Sequence, residues 1–379
     1  MQPYLRAPVF SARLLLHERT RTFASIGGVT FALLLMLLQV GFRNALFDSA
    51  LELVHQLDAD VVVIPKDKHP FLRRDLMPNE RLYQARSVPG VVDVAPLWVA
   101  LMSWTNSETK TLHPIRIIGF DPGKRTFLIP EVNEKARALR RFGTALIDAH
   151  SRSSYGHIGP GPAQVNRLEI DVIGTFPLGT DFEVDGSLIV SEETYFDVTG
   201  WTNNMVGAGL VQLAPGTDVD AVVEEMSRVL PTDVRVFSKR DLIARDLEYW
   251  ETGTPVSVIL LVGVTLGFAV GIVICYQILY TEVLDHLAEF ATLKAMGYGN
   301  RFIQVVVVVE ALVLSLLGFV PAMGLGWLML LGLGALSGLP TSLGADDALD
   351  ILMLSVGMCV GASLLALRKV RVLDPAELF

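Results

Sequence analysis

Four long apolar runs interrupt an otherwise mixed chain. The first, residues 24–41 (ASIGGVTFALLLMLLQVG), has eighteen positions and no charge. As helix it covers about 27 Å, enough to cross a hydrocarbon core. It is too long for a signal-peptide core and no small-x-small cleavage site follows it, so it reads as an uncleaved anchor. The second run is 255–280. The third, 302–338, holds one charge, Glu310, and has Pro321 at its middle; the fourth is 351–367. Before the first run lie Arg6, Arg13, Arg19 and Arg21 against one acid, Glu18, and after the last lie Arg368, Lys369 and Arg371. Basic flanks belong on the cytoplasmic side. Both termini can be cytoplasmic only with an even number of crossings, so the pattern predicts four spans, with the stretch after Pro321 a kinked or interfacial extension of the third. The segment 339–350, with Asp346, Asp347 and Asp350 and no Lys or Arg, fits the opposite side.

Between the first two spans lies a body, 42–254, with a different grammar. Residues 44–57 continue helically out of the first span, with Leu46, Ala50, Leu53 and Leu57 on one face, as a stalk would. Residues 60–64 (DVVVI) read as a strand. Two later stretches echo one another: 79–88 is helical, stopped by Pro89-Gly90 and followed by a Val-rich strand, and 218–230 is helical, stopped by Pro231 and followed by 234–237 (VRVF). The second helix takes Thr217 as its N-cap and buries Val219, Val222, Val223, Met226 and Leu230. Strand-like runs at 99–104, 115–120, 168–175 and 187–190 fill the middle. The expected fold is therefore α+β, in two halves with a β-rich insertion. It re-enters the membrane through a second amphipathic stalk at 238–250.

Composition sharpens this. Half the residues are apolar and 19% are charged, below the usual quarter for soluble domains; the mean hydropathy is +0.46. A soluble enzyme and a nucleic-acid binder are both disfavoured, the latter because the net charge is −9. The body 42–254 carries 22 of the 31 basic and 30 of the 40 acidic residues, as a solvated domain does. It has no cysteine. The two in the chain, Cys275 and Cys359, fall inside spans as small apolar fillers.

Catalytic and metal signatures are missing. No G-x-x-x-x-G-K-[ST], G-x-S-x-G or H-E-x-x-H occurs. Asp148, His150 and His157 share a Gly- and Ser-rich stretch that reads as a polar surface loop, because nothing there imposes metal-ligand spacing. Glu310 is an intramembrane acid and so a functional candidate, although its place near the end of its run also lets it reach headgroups or a neighbouring helix. Gly263, Gly267 and Gly271 repeat every four residues, as do Gly357 and Gly361; such faces let helices approach closely. No catalytic, cofactor or metal residues are assigned.

The segment 281–301 (TEVLDHLAEFATLKAMGYGNR) is an amphipathic helix: Leu284, Leu287, Ala288, Ala291 and Ala295 share one face, Glu282, Asp285, Glu289 and Thr292 the other, and Gly297 and Gly299 end it. Within it E-x-A-T-L-K-A-M-G at 289–297 resembles the coupling-helix signature of FtsX-type ABC permeases. The tail from Arg371 through Asp374, Pro375, Ala376 and Glu377 is similar to that superfamily's closing motif. The layout also matches MacB-like exporters, and 41–50 (GFRNALFDSA) with 280–298 resembles the cyanobacterial DevC permeases. The resemblance implies a non-catalytic permease subunit in the inner membrane, with its large domain in the periplasm. It binds no cofactor itself; a separate ATPase uses the ATP. Partners so implied are that ATPase, a second copy of the chain, a periplasmic membrane-fusion adaptor and a TolC-like outer-membrane protein. The mechanism implied is mechanotransmission, and the cargo glycolipid or lipid-like. Glu289, Thr292, Lys294, Met296 and Gly297 would face the ATPase. The rival readings are a lipoprotein-releasing or a cell-wall-regulating FtsX-type permease, and a membrane-anchored periplasmic enzyme.

Overall fold

The computed structural model describes residues 19–181, 183–287, 291, 292, 294, 296, 298–339 and 344–370. In chain order the elements are helix α1 (Arg19–His55), strands β1 (Val61–Pro65) and β2 (Met77–Pro78), α2 (Glu80–Arg86), β3 (Val91–Thr105), β4 (Leu112–Phe120), α3 (Pro130–Leu139), β5 (Thr144–Asp148), β6 (Gly161–Val165), β7 (Leu168–Phe176), β8 (Ser187–Ser191), α4 (Glu192–Thr199), β9 (Met205–Val206), β10 (Ala208–Leu213), α5 (Val219–Val229), β11 (Val234–Ser238), α6 (Lys239–Thr252), α7 (Pro255–Asp285), α8 (Asn300–Ser337) and α9 (Ala345–Val370). Four of these, α1, α7, α8 and α9, are long and apolar enough to cross a membrane. Residues 45–257, joined by a short segment from Gly334, form one compact unit, and the remaining described residues form another.

The mixed α/β unit is organised by one nine-stranded sheet in the order β11-β1-β10-β3-β4-β8-β5-β7-β6. β1 runs antiparallel to both β10 and β11, and β10 antiparallel to β3. It follows that β1-α2-β3 and β10-α5-β11 are two split β-α-β units, interleaved so that each leaves room for a strand of the other. These are the two echoing stretches of the sequence. The β-rich insertion does not form a sheet of its own: β3 is fifteen residues long, pairs with β10 along its first half and with β4 along its second, and so carries the same sheet into the insertion. β6 returns to pair with β3 at Trp104 and Thr105.

Both faces of the sheet are covered, which accounts for an uninterrupted Val run in β1 where a half-buried strand would alternate. Val61 and Val63 pack with Trp98, Ile117 and Met226 on one side. Val62 and Ile64 pack with Leu53, Val54 and Leu57 of the α1 end and with Leu242 of α6 on the other. The cap of α5 is Asp218 and not Thr217: its carboxylate accepts from the amides of Asp220 (3.1 Å) and Ala221 (3.4 Å). A carboxylate at this position satisfies two orphan amides and sits favourably against the helix dipole, which a hydroxyl one residue earlier cannot match. α2 is shorter than expected, and Asn79 caps it without a side-chain bond.

Two buried polar clusters brace this unit. Arg116 is ion-paired with Asp181, both almost fully buried, and Asp181 also accepts from the amides of Glu183 and Val184 at 2.8 Å. The other cluster holds α6 to the segment after β1. Asp246 accepts from the Phe71 amide (2.7 Å), Arg245 donates to the Lys68 carbonyl (2.5 Å), and the buried Lys68 ammonium donates to the Gly207 carbonyl (2.9 Å). Burial lowers the Lys68 pKa to about 8 despite the opposing pull of Asp75 and Asp246, and raises that of Asp246. The folded protein therefore binds fewer protons at Lys68 than the unfolded chain between pH 8 and 10.5, so this group's contribution rises as pH rises through that window. Relative to Lys68→Met, wild type should gain stability on the order of 3 kcal/mol over that range, read as the difference between their denaturant midpoints. A flat difference would mean the ammonium is solvated.

Candidate functional site

In the apolar helical unit, small residues decide where the helices meet. A Cβ placed on Gly263 would lie 2.9 Å from Gln39 Oε1, one on Gly267 3.5 Å from Met36 Cγ, and one on Gly271 3.5 Å from Ala32 Cβ and in collision with Met358. The Gly263, Gly267 and Gly271 face of α7 thus lies on α1, most tightly at Gly263. α8 meets α1 in the same way: a Cβ on Gly318 would come 2.7 Å from Val29 Cγ1, and Thr30 Oγ1 donates to the Gly318 carbonyl at 3.2 Å. Gly357 and Gly361 have open space where a Cβ would be. The interior between the four helices is lined by Ala32, Met36, Ala311, Ala322, Met358 and Ala362.

Polar atoms inside the bundle pair with one another. Ser315 of α8 and Ser355 of α9 are 2.6 Å apart, and Cys275 of α7 faces Cys359 of α9 with a sulfur–sulfur distance of 3.7 Å. Both pairs follow from the absence of water at that depth, where a hydroxyl or thiol finds partners only on another helix. The sequence shows each as a lone polar or sulfur residue in an apolar run and holds no sign of the pairing. Glu310 is buried, 2% exposed.

The expected coupling segment joins α7 to α8. Glu289 and Gly297 lie outside the described residues. Thr292 and Lys294 are in helical conformation and exposed. Met296, 63% exposed, donates its amide to the Thr292 carbonyl at 3.0 Å. Beneath the segment Val283 of α7, Phe302, Ile303, Val306 and Val307 of α8 and Leu367 of α9 form one buried cluster, against which Tyr298 packs. Three spans are thus held together at the end from which the segment emerges. That base was not apparent in the sequence, because Leu367 is separated from Val283 by more than eighty residues.

Elsewhere the structure replaces the surface-loop reading of Asp148. Its carboxylate is fully buried and accepts from the amides of His150 (3.0 Å), Leu178 (3.2 Å) and Gly179 (2.9 Å). Burial raises its pKa against those bonds. It ties the end of β5 to the loop after β7. Among the described residues no group of His, Cys, Asp and Glu is placed to hold a metal.

Residues 256–375 match the family described as FtsX-like permease C-terminal. The matched stretch takes in three of the four candidate spans and the whole 281–301 segment. Over 359 residues the chain is 24% identical to an uncharacterized ABC transporter permease of Mycobacterium tuberculosis, found in two strains, with 93% of each chain covered. Among solved structures, the extracellular domain of the noncanonic ABC-type transporter YknZ from Gram-positive bacteria is similar at 16% identity and a TM-score of 0.34, over 48% of this chain and 99% of that one. The periplasmic region of MacB from Actinobacillus actinomycetemcomitans is similar at 10% identity and a TM-score of 0.35, over 48% and 89%.

The thiol pair gives a direct check on the packing of the FtsX-like region. Copper-phenanthroline treatment of membranes should join Cys275 to Cys359, so that after a protease cut in the 286–300 segment the two fragments run as one species until reduced. Cys275→Ser should abolish the link. Fragments that separate without reductant would place α7 and α9 apart.

Proposed function

We propose that the chain is the permease subunit of an ABC exporter of the DevC type. It transmits ATP-driven movement from a separate ATPase to a periplasmic adaptor and an outer-membrane duct. The observation that carries this reading is the FtsX-like match across 256–375, which encloses E-x-A-T-L-K-A-M-G. Glu289, Thr292, Lys294, Met296 and Gly297 form the ATPase contact in this proposal. Exposure of Lys294 and Met296 supports it, since a residue that grips a partner must be reachable. So does the buried cluster of Val283, Phe302, Ile303 and Leu367: a push on the segment reaches three spans together, because a close-packed apolar cluster yields little.

The arrangement proposed is a homodimer in the inner membrane, with both termini cytoplasmic and the mixed α/β unit in the periplasm. The cargo is a glycolipid or similar lipid-like molecule that need not pass between the spans. ATP binds the partner and not this chain, in keeping with the missing phosphate-binding loop.

The test is a pull-down of the tagged chain in mild detergent. Wild type should recover a P-loop ATPase, and Glu289→Lys with Lys294→Glu should lose most of it while keeping the same thermal midpoint. Recovery of the ATPase by the double mutant would remove the coupling role from this segment. No ATPase with wild type would end the permease reading.

A further inference from the structure

β11 is the end strand of the nine-stranded sheet, and among the described residues no strand pairs with its outer edge. The opposite end strand, β6, turns back onto β3, whereas β11 pairs only with β1. The register shows which backbone groups are left over. Val61 opposes Ser238 and Val63 opposes Val236. Just beyond the strand ends the Lys66 amide donates to the Asp233 carbonyl, and the Lys239 amide to the Asp60 carbonyl, both at 2.9 Å. Hydrogen-bonded and non-hydrogen-bonded pairs alternate in an antiparallel ladder. The residues of β11 that bond to β1 are therefore Arg235 and Phe237. Val234 and Val236 turn their backbone groups outward; at Ser238 only the amide does so, because its carbonyl belongs to the first turn of α6. The Val234 amide makes only a long turn contact to Pro231 (3.4 Å). Among the described residues no second strand takes the others.

A groove of about 520 Å³ runs along this edge. Its walls offer apolar contacts at Leu230, Val236 and Phe237. Of its nine lining residues two, Lys66 and Arg235, are cations and none is an acid. A third cation, the Arg245 guanidinium, lies over the Phe237 ring at 4.8 Å. The neighbouring acid, Asp233, is already held by Arg81 at 2.9–3.1 Å. His69 and Arg245 both sit below their ordinary pKa values, chiefly from burial; Arg235 adds to both shifts, while Glu248 opposes it at His69 and Asp246 at Arg245.

We propose that β11 takes an added strand from a partner protein, an extended segment that alternates acidic and apolar side chains. Its backbone would pair with the outward groups of Val234 and Val236 and with the Ser238 amide. Its acids would meet Lys66 and Arg235, and its apolar residues the walls of the groove. Strand addition draws affinity from main-chain bonds and specificity from alternate side chains. The position also gives such a partner leverage, because Ser238 at the end of β11 caps α6 through its hydroxyl (3.1 Å to the Asp241 amide), and Lys239 donates to the carbonyls of His55 and Leu57 where α1 ends.

The probe is a fluorescein-labelled ten-residue peptide of alternating glutamate and valine, titrated by anisotropy against the full-length protein in detergent. It should bind saturably. The lysine–valine counterpart should bind at least about tenfold more weakly, and Arg235→Glu should cost the acidic peptide a similar factor. Backbone N-methylation of one alternate set of peptide residues should abolish binding while the other set is tolerated. This arm needs no change to the protein and so is unaffected by misfolding. Equal binding of the two peptides, tolerance of both methylation patterns, or no saturable binding would each overturn the proposal. Sedimentation of Val236→Pro gives the remaining outcome: if it converts a dimer to a monomer at an unchanged thermal midpoint, β11 pairs with a second copy of the chain, and the acidic partner is wrong.

Discussion

The helical unit depends on how closely its other helices can approach α1. Inside a bilayer the hydrophobic effect gives no reason for one apolar helix to prefer another over lipid, so contact distance and the few polar pairs decide the packing. Gly263 on α7 and Gly318 on α8 leave out the Cβ atoms that would crowd Gln39 and Val29 of α1, and Gly271 leaves out the one that would strike Met358 of α9. With the backbones this near, Thr30 reaches the Gly318 carbonyl, and α9 can complete the bundle through Ser355 and Cys359. A single larger side chain at Gly318 would force the backbones apart and undo several of these contacts together.

A different solvent makes a different problem in the α/β unit. Here the sheet is buried on both sides, one by α2 and α5, the other by the end of α1 and by α6. Apolar area supplies most of the stabilisation, but it does not specify where a helix stops along the sheet. The polar clusters do that. Asp246 accepting from Phe71 and Arg245 donating to Lys68 set the position of α6 on the segment after β1. The buried Arg116–Asp181 pair does the same for the loop before β8. Such groups cost desolvation, so breaking one side of a pair is more damaging than replacing both by apolar residues of matching volume.

Force transmission, in the function proposed, needs stiff elements at both ends of its path. The cluster of Val283, Phe302, Ile303 and Leu367 stiffens the base of the segment between α7 and α8. In the α/β unit α6 begins directly on a strand of the sheet, with Ser238 at once the last residue of β11 and the helix cap. No flexible linker intervenes between strand and helix to absorb a displacement.

Much of this was legible in the chain itself. Length and hydropathy separate four spans from one polar body, because a bilayer demands about twenty apolar residues per crossing whatever the fold. Strands at Ile115–Phe120 or Leu168–Thr175, and the amphipathic stripe of α5, follow from local periodicity. What only the tertiary structure decided are relations between distant residues. These include the interleaving of the two split β-α-β units, the passage of β3 from one half into the insertion, and the pairing of Cys275 with Cys359. Asp148, read as a surface loop, is buried because amides from residues thirty positions later fold over it, and Asp218 displaces Thr217 as a cap because only geometry tells which residue stands at the helix start. Periodicity is a property of neighbours along the chain, whereas burial and partnership belong to contacts that exist only once the chain has closed on itself.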